Sequence, residues 1–300
     1  MARFAGVWPA MVTPLTSDDQ INVAATRRLV EHLIKTGIGG LYVGGSTGEG
    51  VLLPVATRQR LAEVVIEQVN RRVPVMVHVG AAATADAVML AAHAAAIGAD
   101  AVSAVPPFYF QVGFRGIKEH YQRIAAASSL PLYLYYIPNA TGVSLSAAEM
   151  AELCQVANVR GFKYTSHDLY LLEQIMALGG GEMNIFSGPD QLFLPCLALG
   201  VDGAIGTTYN VLASHYVRLY RAFQRGDMAT ARRLQSQANR VIEVFVRYGG
   251  VPAVKEMMRF IGLDCGDCRR PLRKLDESEI AALRAALQKV GFWELADIAA

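Results

Sequence analysis

Up to about residue 225 the chain alternates short apolar runs with longer stretches in which apolar residues recur every three or four positions. The short runs Gly6–Thr13, Gly40–Val43, Val73–Val79, Ala99–Val105, Leu130–Tyr136, Val159–Lys163, Met183–Ser187 and Gly203–Gly206 read as strands. Stretches such as Val23–Lys35, Val55–Val69, Ala85–Ile97 and Leu145–Val156 read as amphipathic helices. Eight strands separated by helices fit an α/β fold of the closed (β/α)8 TIM-barrel type better than an open sheet.

A weak internal repeat supports that pattern. Thr36-Gly37-Ile38-Gly39-Gly40, Ala96-Ile97-Gly98-Ala99-Asp100 and Leu199-Gly200-Val201-Asp202-Gly203 each precede an apolar run. In each the glycine is expected to end a helix in the left-handed conformation, so that the next residues enter a strand. From about Gly226 the strand signals stop. Asp227–Tyr248, Val251–Ile261 and Asp276–Lys289 read as helices around a turn-rich Gly262–Pro271. The chain is therefore expected to divide into a barrel over residues 1–225 and a C-terminal helical region over 226–300.

Composition narrows the class. With 300 residues, 53% of them hydrophobic and 18% charged, the chain can bury one large core. A formal charge of +2 and the lack of long Lys/Arg runs speak against nucleic acid as a partner. Met1–Leu15 holds one arginine and is broken by Pro9 and Pro14, which suits a strand better than a signal peptide. No run reaches the length of a membrane span, so the expected location is cytoplasmic. Cys265-Gly266-Asp267-Cys268 resembles half of a metal or redox motif, but no second pair or nearby histidine completes it. Asp18-Asp19, Asp264 and Asp267 look like solvated turns, and no paired carboxylates stand at metal spacing on strand ends.

In a barrel the chemistry sits at the carboxyl ends of the strands. Five clusters occupy such positions: Gly44-Gly45-Ser46-Thr47-Gly48-Glu49, Pro107-Phe108-Tyr109, Tyr135-Tyr136-Ile137-Pro138, Lys163-Tyr164-Thr165 and Gly206-Thr207-Thr208-Tyr209. The first combines glycines, two hydroxyls and an expected helix start, a set suited to a carboxylate. Phosphate is the competing ligand, but the Lys-Ser/Thr of a nucleotide P-loop is missing. Lys163 ends the sixth strand, where an apolar wall can keep its amine neutral, and a neutral amine attacks a ketone to form a Schiff base. Tyr135 ends the fifth strand, about 4.8 Å away across a strand pair. A strand-end tyrosine is by default a packing residue, but beside such a lysine its phenol is placed to shuttle protons. His78 ends the third strand and reads as a satisfied core histidine rather than an acid or base.

With these residues in place, the chain resembles the pyruvate-dependent class I aldolases, the superfamily of dihydrodipicolinate synthase and N-acetylneuraminate lyase. The resemblance rests on Gly45-Ser46-Thr47-Gly48-Glu49, Pro107-Phe108-Tyr109, Tyr135-Tyr136-Ile137-Pro138 with Thr141-Gly142, Lys163, Gly206-Thr207-Thr208-Tyr209-Asn210 and Cys268-Arg269-Arg270-Pro271. It implies that Lys163 forms the Schiff base with a 2-oxo acid such as pyruvate and that Tyr135 transfers protons. It implies also that Ser46 and Thr47 receive the carboxylate, and that Tyr109 completes a relay in a neighbouring subunit of a homotetramer, a dimer of dimers. No cofactor beyond the covalent imine is implied.

The branch is read from fewer positions. Synthases carry an arginine two residues after the proline of the strand-five motif, and here Ala140 stands there. The Lys163–Leu169 segment and the 207–210 run resemble the N-acetylneuraminate lyase branch, in which Thr165, Gly188, Asp190, Gln191 and Thr207 would face the sugar chain. Gln191 in place of Glu, Thr207 in place of Ser and Tyr136 in place of Asn depart from the usual pattern. The alternatives are an aldolase for another 2-keto-3-deoxy sugar acid or 4-hydroxy-2-oxoglutarate, a synthase-like condensing enzyme, and a 2-oxo acid sensor that has lost turnover. The retained pair Lys163 and Tyr135 counts against the sensor.

Overall fold

A computed structural model of the chain describes residues 4–179 and 183–299; Met1–Arg3 of the opening segment lie outside the described residues. Eight parallel strands are present: β1 Gly6–Pro9, β2 Leu41–Val43, β3 Val75–His78, β4 Ala101–Ala104, β5 Leu132–Tyr136, β6 Val159–Tyr164, β7 Asn184–Ser187 and β8 Gly203–Gly206. They are hydrogen-bonded in the order β1-β8-β7-β6-β5-β4-β3-β2, and a parallel bridge from Ala10 to Tyr42 joins the two ends. The sheet is thus the closed (β/α)8 barrel that the alternation predicts.

Strand periodicity divides the side chains into two cores. Trp8, Ala10, Tyr42, Met76, Ala101, Tyr133, Tyr135, Phe186 and Ile205 point inward and fill the barrel. Their neighbours Val7, Leu41, Val77, Val102, Leu134, Phe162 and Ile185 face outward, against the helices. Five of the inward residues are aromatic, so the interior is a packed plug whose upper face forms the floor of any site at the strand ends.

The surrounding helices are α1 Val23–Lys35, α2 Val55–Val69, α3 Thr84–Ala96, α4 Gly113–Ala126, the single turn α5 Pro138–Thr141, α6 Ala147–Cys154, α7 Leu169–Leu178, α8 Phe193–Leu199 and α9 Tyr209–Gln224. Gly37, Gly98 and Gly200, the glycines of the repeat, have φ of +80°, +84° and +105°. That backbone is open to glycine at little cost, and it ends each helix just before a strand. Four more helices follow: α10 Met228–Arg247, α11 Val251–Phe260, α12 Glu277–Lys289 and α13 Phe292–Leu295.

The segment between α11 and α12 is fastened to the barrel's upper loops. Leu15 N donates to Cys265 O at 3.1 Å, and Lys255 of α11 forms an ion pair with Glu49 at 2.6 Å. Cys265 and Cys268 are free thiols, and burial pushes both up to about 12. Among the described residues no helix is long and apolar enough to cross a membrane.

Candidate active site

Parallel pairing sets Tyr135 of β5 directly opposite Lys163 of β6. Both side chains point into the barrel mouth and are buried, at 2% and 4% exposure. The Lys163 Nζ lies 4.2 Å from the centroid of the Tyr135 ring and 4.7 Å from that of Tyr42. The apolar wall expected around the amine is therefore two aromatic faces, whose electron density also attracts an ammonium or a protonated imine. Tyr42 is fully buried, and its hydroxyl donates to Ser103 Oγ at 3.1 Å. Burial, with the neighbouring Tyr135, pushes the Tyr42 phenol well above its ordinary value, so it remains a neutral hydrogen-bonding group. Sequence reasoning missed Tyr42; the available signal was its inward position one residue before the end of β2.

The glycine loop brings hydroxyls to the same place. Ser46 Oγ lies 3.4 Å from the Tyr135 hydroxyl, and Thr47 Oγ1 shares a 2.7 Å hydrogen bond with Thr207 Oγ1 of the loop after β8. The expected helix start is corrected here. Only a 3-10 turn, Gly50–Leu52, follows the loop, and α2 begins at Val55. Glu49 takes a left-handed φ of +58°, and Leu53, extended as residues before proline usually are, breaks the path into the helix. Any carboxylate site in this loop must draw on its hydroxyls and amides rather than on a long helix dipole.

Beside this group opens a cleft of about 340 Å³ lined by Thr165, Ser166, His167, Gly188, Gln191 and Thr207 on one side. Ile242, Phe245 and Val246 of α10 form an apolar side of the same cleft. Thr165 Oγ1 is buried without a hydrogen-bond partner among the described residues. A Cβ on Gly188 would stand 1.8 Å from that oxygen, so glycine leaves the space Thr165 uses. Gln191 Nε2 donates to His167 Nε2 at 2.8 Å. Sequence reasoning missed both His167 as a partner of Gln191 and the α10 wall, which comes from the region expected to be an appendage.

Asp190 also lines this cleft, and its carboxylate is engaged with the loop after β8. Its Oδ2 accepts from Thr208 N at 2.7 Å and Thr208 Oγ1 at 2.6 Å, and the residue is 6% exposed. Burial pushes its carboxyl above the ordinary value, and the Thr208 bonds offset part of that shift. The carboxylate thus organises the loop after β8, next to the cleft.

His78 is a core group, as expected, but only partly satisfied: its Nε2 is buried without a hydrogen-bond partner among the described residues. It is buried, its Nδ1 lies 3.2 Å from Gly44 O, and its ring meets Tyr135 edge-on at 5.8 Å. Burial, then the Arg58 charge, then Lys163, hold the imidazole well below its ordinary value. Arg58 donates to Gly80 O at 2.9 Å and His78 O at 2.7 Å, bracing the end of β3. Tyr109 stands apart from the residues gathered at Lys163: it is 85% exposed, with φ of +78°, and packs edge-on against Phe110.

The fold is a closed parallel barrel with a buried lysine and tyrosine in register at adjacent strand ends, and its similarity to known proteins makes it a (β/α)8-barrel lyase. The chain matches the dihydrodipicolinate synthetase family over residues 3–290 and belongs to that family. The N-acetylneuraminate lyase of Rhizobium meliloti (strain 1021) is 38% identical to it over 291 residues, covering 97% of each chain. The structure of Proteus mirabilis N-acetylneuraminate lyase aligns with a TM-score of 0.91 at 31% identity, over 97% of this chain and 100% of that one. Dihydrodipicolinate synthase of Bacillus anthracis aligns with a TM-score of 0.92 at 30% identity, over 96% and 99%. The backbone alone therefore does not separate the two branches.

Proposed function

We propose that this protein is a Schiff-base aldolase that reversibly cleaves a 2-oxo-3-deoxy sugar acid, foremost N-acetylneuraminate, to pyruvate and N-acetylmannosamine. The observation that carries the reading is the Lys163 amine held 4.2 Å from the Tyr135 ring, near the hydroxyl loop. The lyase branch is supported by the 38% identical relative and by Ala140, which stands where synthases carry an arginine.

In this reading Ser46 and Thr47 receive the 2-oxo acid's carboxylate, and the unprotonated Lys163 amine attacks C2. Loss of water gives a protonated imine. Tyr135 takes the proton from the C4 hydroxyl, the C3–C4 bond breaks, and its electrons move to the imine nitrogen to give an enamine. Protonation at C3 and hydrolysis release pyruvate and regenerate the amine. The imine is itself the electron sink, so no further cofactor enters the reaction. Thr165, Gly188, Asp190, Gln191 and Thr207 line the path of the sugar chain. Tyr109, exposed on a single chain, is assigned to a neighbouring subunit's relay in a cytoplasmic homotetramer. A second reading, a shorter 2-keto-3-deoxy acid as substrate, is favoured by the uncharged Gln191, bonded to His167, where the branch usually has a glutamate.

Borohydride reduction in the presence of pyruvate tests the proposal. Mass spectrometry is expected to find one pyruvate-derived unit per chain, at Lys163, and Lys163→Ala is expected to abolish both labelling and turnover. Label elsewhere, or undiminished turnover in the variant, would remove the mechanism. A coupled pyruvate-release assay across N-acetylneuraminate, 2-keto-3-deoxygluconate and 4-hydroxy-2-oxoglutarate separates the two substrate readings.

A further inference from the structure

We propose that the C-terminal region sets the geometry of the carboxylate-receiving loop through Glu49, with Lys255 as the positioning residue. This inference rests on the reading that Ser46 and Thr47 receive a 2-oxo acid's carboxylate.

Glu49 lies two residues beyond Thr47 and holds a left-handed backbone. Both of its carboxylate oxygens are engaged from the C-terminal region. Oε1 is 2.6 Å from Lys255 Nζ of α11, and Oε2 accepts from the Arg269 backbone N–H at 2.5 Å. The same Lys255 amine donates to Asp267 O at 2.7 Å, so one ammonium ties the loop to the segment that follows α11. The paired side chains are 2% and 0% exposed, whereas every other ion pair among the described residues has a side chain at least 28% exposed.

A buried ion pair is a poor way to gain stability, because desolvating both charges offsets much of their attraction and an apolar pair of equal volume serves as well or better. What it supplies is direction. The carboxylate must point at Lys255 and Arg269, and this pins the Glu49 backbone and the two hydroxyl residues before it. From the other side Thr13 Oγ1 donates to Gly48 O at 2.6 Å, and Gly50 N donates to Gly45 O at 3.0 Å. The loop is held on both flanks, with exposed Ser46 and the Thr47–Thr207 hydroxyl pair left between them. Site residues on a loop need such fastening to keep their donors within a fraction of an ångström.

A loop set in this way governs how a substrate carboxylate is held, and not whether the lysine can form an imine. Borohydride trapping on the full chain, quantified by mass spectrometry, reads this difference with two ketones: pyruvate, and hydroxyacetone, which carries an alcohol in place of the carboxylate. The variants are Glu49→Gln and the double replacement Glu49→Gln with Lys255→Met, which leaves no unpaired buried charge and so protects folding. In folded variants the pyruvate concentration for half-maximal trapping is expected to rise about 10- to 100-fold, the scale of a small misplacement of binding groups. The maximal extent of trapping, and trapping with hydroxyacetone, are expected to stay within about twofold of wild type. An unchanged half-saturation by pyruvate in the folded double variant, or equal losses with both ketones, would overturn the positioning role. Failure of the wild-type protein to trap pyruvate would instead overturn the aldolase reading on which it rests.

Discussion

At the scale of single residues, the centre of the site is a contact between one amine and two aromatic rings. Tyr135 contributes a ring face to Lys163 and a hydroxyl near Ser46, and these can be separated by substitution. Tyr135→Phe keeps the ring, so pyruvate should still be bound and trapped, while turnover falls about 10²- to 10⁴-fold, the usual worth of a positioned acid or base. Steady-state cleavage kinetics check this, and a drop below about threefold would reassign Tyr135 to packing. Gln191 permits a test of substrate length. With His167 only 2.8 Å away, Gln191→Glu places a charged acceptor at the cleft wall. If residue 191 reads a hydroxylated tail, kcat/KM for N-acetylneuraminate relative to shorter 2-keto-3-deoxy acids should rise about five- to thirtyfold, the value of one such hydrogen bond. An unchanged ratio with both substrates accepted would show that the residue does not touch the tail.

At the scale of elements, the strand ends are fixed by pairing and the loops beyond them by buried polar contacts. The loop after β8 depends on Asp190, whose Oδ2 takes two hydrogen bonds from Thr208. Its Oδ1 lies only 2.0 Å from where a Cβ on Gly206 would stand. Gly206→Ala must therefore displace a carboxylate that is already committed, and stability should fall by about 1–3 kcal/mol, as for other overpacked core positions. Thermal unfolding of the purified variant measures this. Turnover should fall as well, because Thr207 follows Gly206 and loses its place against Thr47. An alanine variant of wild-type stability and activity would show that this loop tolerates displacement. Helix α10 is the other element whose role depends on placement: its amphipathic pattern fits a helix packed on the barrel, yet Ile242, Phe245 and Val246 wall the cleft.

At the scale of the whole molecule, the barrel and its C-terminal helices keep several imidazoles out of water. His32, His78, His120 and His215, four of the six histidines, are pushed below their ordinary value of 6.5, in each case chiefly by burial, with His120 brought down to about 4. A histidine with a lowered folded pKa binds fewer protons folded than unfolded, so its contribution to stability is present above 6.5 and is lost as the pH falls. Asp190, with its raised carboxyl, acts in the opposite sense just above the ordinary carboxyl value. The midpoint of thermal unfolding should thus decline between pH 6.5 and about 4, and His120→Gln should flatten part of that decline. A flat profile in the wild-type protein, or an equal slope in the variant, would contradict the assignment.

Much of this molecule was legible along the chain because its signals are periodic or local. The alternation of apolar runs with helical stretches determined the barrel, since eight short buried strands separated by helices have few other ways to cover both faces of a parallel sheet. Strand-end position singled out Lys163, Tyr135 and the Ser46-Thr47 loop, because parallel strands place all their carboxyl ends on one rim. Tertiary structure alone decided the rest. Tyr42 becomes a second wall of the amine through barrel closure, and Asp190 turns to Thr208 because the loop after β8 needs an acceptor there. His167 meets Gln191, α10 reaches the cleft, and Lys255 finds Glu49 some 200 positions away by number. These are contacts between residues with no periodic relation in sequence, and only the closed barrel and the packing of the last four helices bring them within reach.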